Sequence, residues 1–521
     1  MSNLVDKKNF YIATSIVYAS SIPHIGNIYE MILADVIARF KRLEGYQVYF
    51  QTGTDEHGQK IEKKALQSGL DAQNYVNQIS DKVKAIYNRM NIKYDFFIKT
   101  SSLNHKKKVQ MIIDKLFQKG DIYLGLYEGW YSVNDESYIS EKDLIDGKTV
   151  DGETPVWTKE EVYFFKLSKY QDKLLHYLEN EPDLILPLHI KKEILNLLNT
   201  PLDDLSISRT SFKWGIKLNI NPKHVVYVWI DALSNYITGL NYPFFDEEES
   251  LKFKQFWPCD VHVIGKDISR FHLIYFPILL MALDLSLPKK FLIHPWILFN
   301  NKKMSKSLNN TIYTDDLLKI FPVDAIRYFV LHETPYTSDG VLTYDLLFER
   351  YNTDLVNTVG NLLNRTLGMI EKYKNKKLSK NLKPVKEFET INLIQETANT
   401  VSCVRYHMKD YKIGDALECI LKLSRLCNKY IDFTKPWNLI KDTKNLDKLD
   451  FVLYSLIETI RFIGVLLQPF LPITANNILK QIKAEDITFE SLKIFGLTTE
   501  KELNVKIKLF ERLNKDDFFI N

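Results

Sequence analysis

Asn9-Phe10-Tyr11-Ile12-Ala13-Thr14-Ser15-Ile16-Val17-Tyr18 is the stretch that decides the fold. Aromatic and β-branched residues fill it, the composition of a core strand. Pro23 follows as a turn residue, and a helical pattern opens near Gly26. Ile28, Ile32, Val36, Phe40 and Leu43 recur every three or four residues, and Gly45 stands where a helix ends on a residue of positive φ. Gln47 to Gln51 reads as a second strand, and Thr52-Gly53-Thr54-Asp55-Glu56-His57-Gly58 leaves its C-terminal end. Strand, helix, strand in so short a span predicts a parallel α/β unit. Open parallel sheets bind ligands at the C-terminal ends of their strands, where both His24 and Asp55 fall.

Further along, the pattern changes twice. From about 121 to 211 the chain is dense in Tyr, Trp and acidic residues, with Gly147 and Gly152 as hairpin turns. This reads as an α+β insertion splitting the sheet domain. Val225–Trp229, Val261–Ile264 and Phe291–Phe299 are the later strands expected, with a helical stretch from Asp315 to Leu331 punctuated by Pro322. From Leu346 onward the pattern is helical, over roughly 346–374, 387–410, 413–432, 446–467 and 474–482. The expected organisation is a Rossmann-type domain in two halves (1–120 and 212–300), an inserted connective domain (121–211), a lysine-loop region (301–345) and an all-α bundle (346–521).

With 521 residues, 45% hydrophobic and 26% charged, the chain has the composition of a multidomain globular protein. The most apolar run, Ile274 to Leu283, is too short to span a bilayer, which takes about 20 residues. The N-terminus has neither the apolar core of an export signal nor an Arg/Ser-rich amphipathic pattern, so a cytoplasmic, membrane-free protein is expected. Cys259, Cys403, Cys419 and Cys427 show no CxxC spacing and are expected to be reduced, each a small buried hydrophobe. Net charge is only +4, but from Tyr351 onward 27 Lys/Arg face 21 Asp/Glu, against 42 and 44 before it. The positive excess, including lysines at 372, 374, 376, 377, 380, 383 and 386, sits where an RNA partner would feel it.

Two motifs carry chemistry. Lys303-Met304-Ser305-Lys306-Ser307 is a cationic loop able to close on a polyphosphate, and Pro23-His24-Ile25-Gly26-Asn27 lies about 280 residues upstream. A ring N–H donor at a helix N-terminus favours anions, and Gly26 lets a nucleotide approach the backbone. Together the pair resembles the signature motifs of class I aminoacyl-tRNA synthetases. These activate an amino acid by carboxylate attack on the α-phosphate of ATP and pass it to tRNA. The nucleophile is already ionised, so the reaction asks for in-line positioning and charge neutralisation.

Within that class the sequence is similar to the methionyl-tRNA synthetase family over essentially its whole length. The matching segments are Ile16 to Asn27, Thr52 to Gly58, Tyr227-Val-Trp229-Ile-Asp231-Ala232, Ile264-Gly265-Lys266-Asp267, Phe271-His272 and the lysine loop. The resemblance implies L-methionine, ATP with Mg²⁺ and tRNA(Met) as substrates. It implies phosphate contacts and catalytic roles for His24, Asn27, Lys303, Lys306 and Arg209. Gly26, Glu30, Gly265 and Asp267 would hold ATP, with Asp267 suited to ribose hydroxyls. Asp55 would take the substrate ammonium, and Ile16, Tyr18, Trp229, Ala232, Leu233, Tyr236, Phe271 and His272 the thioether. That fits the favourable contact of sulfur with aromatic edges. Asn361, Arg365 and Trp437 resemble anticodon-reading residues, Trp437 as a stacking platform.

Two departures from the family pattern stand out. The first motif usually ends in histidine, whereas Asn27 here carries no charge. Many relatives carry Cys-x-x-Cys knuckles in the insertion, yet no cysteine occurs from 121 to 211. No structural zinc is expected there, with Trp130, Tyr131 and Tyr138 packing the knuckle instead. The insertion is also too short for an editing domain, and a monomer is the default. Synthetases for Leu, Ile or Val would need that larger domain, and a simple nucleotidyltransferase would lack the bundle. A catalytically dead relative is opposed by His24, Asp55, Lys303 and Lys306.

Overall fold

The structure is a computed structural model. It describes residues 8–132, 137–139, 144–149, 152–304, 310–503 and 508–518. Two compact units emerge, one of residues Met1–Ala34 and Gln47–His294, the other of Asp35–Tyr46 and Pro295–Asn521.

The first unit is built on a seven-stranded sheet in which every pairing is parallel. Asn9–Thr14 lies at its centre, flanked by Gln47–Asp55 on one side and Val261–Gly265 on the other. The sheet continues through Phe291–His294 to Ile185–Leu186, and Phe96–Lys99 pairs with the far side of Gln47–Asp55. Tyr11, Ile12, Ala13, Phe50, Val261, Val263 and Leu292 are fully buried, as expected of a parallel sheet covered on both faces. Between Asn9–Thr14 and Val261–Gly265 the strand order reverses direction. Such a switch point opens a crevice at the C-terminal strand ends.

The expected opening strand is two pieces, Asn9–Thr14 and Val17–Tyr18, the second paired with Thr54 and Asp55. The second strand runs on through Asp55 rather than stopping at Gln51. Helix Ile25–Leu43 ends as read: Tyr46 N–H donates to the Lys41 carbonyl, Gly45 N–H to that of Arg42, and Gly45 has φ +90°. The insertion is an antiparallel sheet in which Ile122–Ser132 pairs with Val156–Phe165 over ten residues, with Trp130 edge-on to Trp157. Tyr131 is paired with Tyr138 there. Residues 133–136 of the expected knuckle lie outside the described residues.

Two strand readings fail for physical reasons. Val225–Trp229 is a strand only over Val225–Val226, because a helix, Val228–Thr238, begins immediately after it. Its buried Ile230, Leu233 and Ile237 follow the helical period, which overrides the β-branched start. Phe291–Phe299 divides at Pro295, which has no N–H to offer a ladder. Phe291–His294 joins the large sheet, whereas Ile297–Phe299 joins a small one with Lys302–Lys303 and Gly340–Leu342.

The second unit is mainly helical. Tyr344–Arg350, a π-helical segment Tyr351–Gly360 and Asn361–Lys374 follow one another without a break, then Leu393–Lys409, Ile413–Thr434 and Leu446–Leu467. Leu446–Leu467 is buried along nearly its whole length, the core of the bundle. Two buried ionic clusters punctuate this unit. Arg327 donates to Asp35 at 2.7 Å and to the carbonyls of Pro469 and Phe470. Glu458 pairs with Arg461 at 3.0 Å and accepts the N–H groups of Gly496, Leu497 and Thr498. Among the described residues no helix is long and apolar enough to cross a membrane.

The reading of every cysteine as an isolated thiol is corrected here. Cys259 and Cys427 are free and buried, but Cys403 and Cys419 form a disulfide. Spacing along the chain does not reveal it, because a helical hairpin brings together residues 16 apart.

Candidate active site

Several of the residues singled out in the first unit lie where strands of the large sheet end. His24 is half-buried and immediately precedes helix Ile25–Leu43. Gly26 N–H donates to His24 Nδ1 at 3.0 Å, so the ring proton of the neutral imidazole resides on Nε2. Asn27 is exposed, and its Oδ1 accepts the His24 N–H at 3.1 Å, fixing the motif in a tight turn. Glu30, one turn on, is buried between Ser15 and His294. Its Oε1 accepts the Ser15 N–H at 2.8 Å and its Oε2 lies 3.0 Å from His294 Nε2. Glu30 thus braces the end of the central strand, with its carboxylate engaged by protein groups.

Across the switch point, Gly265 ends its strand and Asp267 is exposed in the following 3₁₀ turn. A Cβ on Gly265 would lie 2.7 Å from Asp267 Oδ1, so any larger residue here would displace the Asp267 carboxylate. Asp55 is buried at the end of its strand beside Tyr18, while Ile16 and Tyr18 are half-buried.

The aromatic wall comes from two helical segments. Trp229, Ala232, Leu233 and Tyr236 lie on successive turns of Val228–Thr238. Phe271 and His272 belong to a π-helical turn, Phe271–Tyr275, a geometry often found at functional sites. Trp229 and Phe271 stack face to face, centroids 3.5 Å apart and planes within 9°. His272 Nδ1 donates to the Ile268 carbonyl at 3.0 Å, which leaves Nε2 to accept the Tyr236 hydroxyl at 2.8 Å. Burial holds this imidazole down at about 4, only partly opposed by the Ile268 carbonyl and by Glu30 and Asp267, so it is neutral at pH 7. The wall therefore presents aromatic rings and an uncharged histidine.

One network went unread in the sequence. Asp231 is fully buried, with Oδ2 2.6 Å from His57 Nδ1 and Oδ1 2.7 Å from His105 Nε2. His105 in turn meets Thr238 Oγ1 at 2.7 Å. Burial would raise the Asp231 carboxyl, but the two histidines outweigh it and hold it at about 2. The network ties the Thr52–Gly58 run to the helix carrying the aromatic wall. Asp231 and His57 lie inside segments singled out above, whereas His105 lies in none of them. The available signal was the Asp231 carboxylate inside an apolar run, which needs a buried partner.

Arg209 is buried, its guanidinium 4.0 Å over the Tyr227 ring and 2.6 Å from Ser206 Oγ. In the second unit, Lys303 is exposed with its ammonium 4.1 Å over the Trp296 ring. Lys306 lies outside the described residues. Asn361 donates to Asn428 Oδ1 at 3.4 Å, Arg365 pairs with Asp432 at 2.5 Å, and Trp437 is 38% exposed at a short helix begun by Pro436.

Comparison with known proteins agrees with this geometry. A family model described as "tRNA synthetases class I (M)" matches residues 10–149 and 139–367, and one described as "Anticodon-binding domain of tRNA ligase" matches 392–515. The methionine–tRNA ligase of Caldanaerobacter subterraneus is 48% identical over 95% of this chain and 77% of its own length. That of Clostridium acetobutylicum is 45% identical over 98% and 79%. A solved structure of Mycobacterium tuberculosis methionyl-tRNA synthetase in complex with methionyl-adenylate superposes with a TM-score of 0.92. It is 37% identical and covers 97% of this chain and all of that one.

A parallel sheet with its crevice at the switch point, followed by a helical anticodon-binding module, defines an aminoacyl-tRNA ligase of class I. The aromatic wall distinguishes this site from those built around a charged substrate side chain. The chain belongs to the methionyl-tRNA synthetase family.

Proposed function

We propose that the chain joins methionine to ATP at the switch-point crevice and esterifies tRNA(Met) with the product, with a division of labour among its residues. His24 Nε2–H and the helix N-terminus behind it stabilise the α-phosphate as the methionine carboxylate attacks, with Gly26 admitting the nucleotide and Asn27 holding the turn. Asp55 takes the substrate ammonium. Ile16, Tyr18, Trp229, Ala232, Leu233, Tyr236, Phe271 and neutral His272 receive the thioether. Gly265 and Asp267 receive the ribose, with Glu30 bracing the strand end beneath. Lys303 and Lys306 neutralise the departing pyrophosphate, and Arg209 adds positive charge. ATP enters as its Mg²⁺ complex. Asn361, Arg365 and Trp437 read the anticodon loop.

The observation that carries this reading is the reversal of strand order between Asn9–Thr14 and Val261–Gly265, with signature residues on both sides of it. The insertion has no cysteine from 121 to 211 to hold zinc, which supports a zinc-free connective domain. The chain is read as a cytoplasmic monomer of five domains, at the boundaries expected from its sequence.

Pyrophosphate–ATP exchange across a panel of amino acids tests the assignment. Exchange is expected with methionine above all others, and Asp55→Asn should raise the KM for methionine at least tenfold. Exchange driven equally well by leucine, or an unchanged KM in Asp55→Asn, would overturn the pocket assignment.

A further inference from the structure

The helical hairpin formed by Leu393–Lys409 and Ile413–Thr434 carries a donor set unrelated to the catalytic crevice. Cys403 and His407 are one turn apart near the end of the first helix, and Asp415 and Cys419 one turn apart at the start of the second. Residues four apart share a helix face. Because the helices run antiparallel, Cys403 meets Cys419 and His407 faces Asp415, so three donors converge and a fourth stands beside His407.

The ligand atoms of Cys403, His407 and Cys419 lie within 4.8 Å of one another. His407 Nδ1 is buried without a hydrogen-bond partner and is 3.8 Å from Asp415 Oδ2. The group lines a groove of about 600 Å³ that also holds Glu396, Asn399 and Lys422. The sulfurs are joined as a disulfide, the two-electron-oxidised form of this pair, with Cα atoms 6.4 Å apart.

We propose that the reduced pair, with His407 and Asp415, forms a binding site for one divalent transition-metal ion, Zn²⁺ by preference. Two thiolates, an imidazole and a carboxylate make the mixed S/N/O set that suits Zn²⁺ in a closed tetrahedral site. Bonds of about 2.3 Å to sulfur set the two sulfurs of such a site roughly 3.8 Å apart, the distance at which reduced thiols touch. The groups that would move all belong to one hairpin. The orphaned Nδ1 gains the partner it lacks, and Asp415, exposed in the absence of metal, closes the fourth position. Metal binding and the disulfide exclude each other, since zinc is held by thiolates and oxidation to the disulfide removes them. An ion at this place would pin the two helices near their turn and stabilise the helical unit by mass action.

The test uses the full chain. A phosphine reduces the disulfide: phosphorus attacks one sulfur, the S–S bond breaks, and water yields two thiols and the phosphine oxide. After desalting without air, Co²⁺ is titrated as an optical probe, followed by Zn²⁺. A thiolate-to-cobalt charge-transfer band that saturates at one Co²⁺ per chain and is displaced by Zn²⁺ is expected. The same titration of the unreduced chain should give no band. Cys403→Ser and Cys419→Ser should abolish it, and His407→Ala should weaken binding about tenfold or more, with methionine-dependent exchange unchanged in each. If Cys419→Ser fails to fold, the partly exposed His407→Ala decides. The proposal is overturned by absence of the band in the reduced chain, by its survival in Cys403→Ser, or by wild-type affinity in His407→Ala.

Discussion

At the scale of single residues, the site depends on keeping particular groups in one protonation state. His272 illustrates this. Its Nδ1–H is committed to the Ile268 carbonyl and its Nε2 to the Tyr236 hydroxyl, so a second proton would break the latter bond inside an apolar wall. Burial lowers its folded-state value to about 4, below the roughly 6.5 of an unfolded histidine. Because the folded value is the lower, the stabilisation is complete above pH 6.5 and is lost as pH falls towards 4. At pH 4.5 the loss should be about 2–3 kcal/mol. Urea unfolding at pH 7 and pH 4.5 should therefore show a smaller stability difference for His272→Gln than for the wild type. Equal differences in the two proteins would remove His272 as a source of acid sensitivity. Asp231, held at about 2 against burial by its two histidines, adds a separate loss at lower pH, between about 4 and 2.

At the scale of elements, the candidate groups come from loops, helix starts and one helix face, held by the sheet and the bundle. On the proposed reading, in which the lysine loop neutralises a leaving group, its contribution belongs to the transition state. Lys306→Ala should slow pyrophosphate exchange by about 10²–10³-fold, some 2.7–4 kcal/mol of barrier, with methionine affinity nearly unchanged. A wild-type exchange rate in that variant would rule out charge neutralisation by this loop. Trp437 sits at the other extreme, on a four-residue helix in the bundle, with 38% of its surface exposed. Trp437→Ala should leave exchange intact and lower kcat/KM for tRNA charging, by the roughly 1–3 kcal/mol of a lost base stack. Unaltered charging kinetics would exclude it from anticodon reading. These elements were legible to different degrees. Leu446–Leu467 is read residue for residue, because a long apolar period leaves little choice. Val225–Trp229 was misread because a short apolar run has no period long enough to separate strand from helix.

At the scale of the whole molecule, stability rests on the apolar cores of the large sheet and of the helical unit, and on buried ionic clusters within them. Glu458 is the clearest case. It is fully buried, pairs with Arg461 and accepts three successive backbone N–H groups of 496–498. Glu458→Ala would strand the Arg461 guanidinium and three N–H donors, and should destabilise the second unit by about 3–5 kcal/mol in urea unfolding. A loss below 1 kcal/mol would show that water replaces the carboxylate. The residue string alone was enough for the class of fold, for the family and for placing the helical part after the sheet. Hydrophobic period and motif spacing are local properties that a linear reading captures. Tertiary structure alone decided that strand order reverses beside Gly265, that His272 is neutral, that His57 and His105 share Asp231, and that Cys403 meets Cys419. Each of those depends on residues far apart in the chain being desolvated together, and desolvation is a property of the packed molecule.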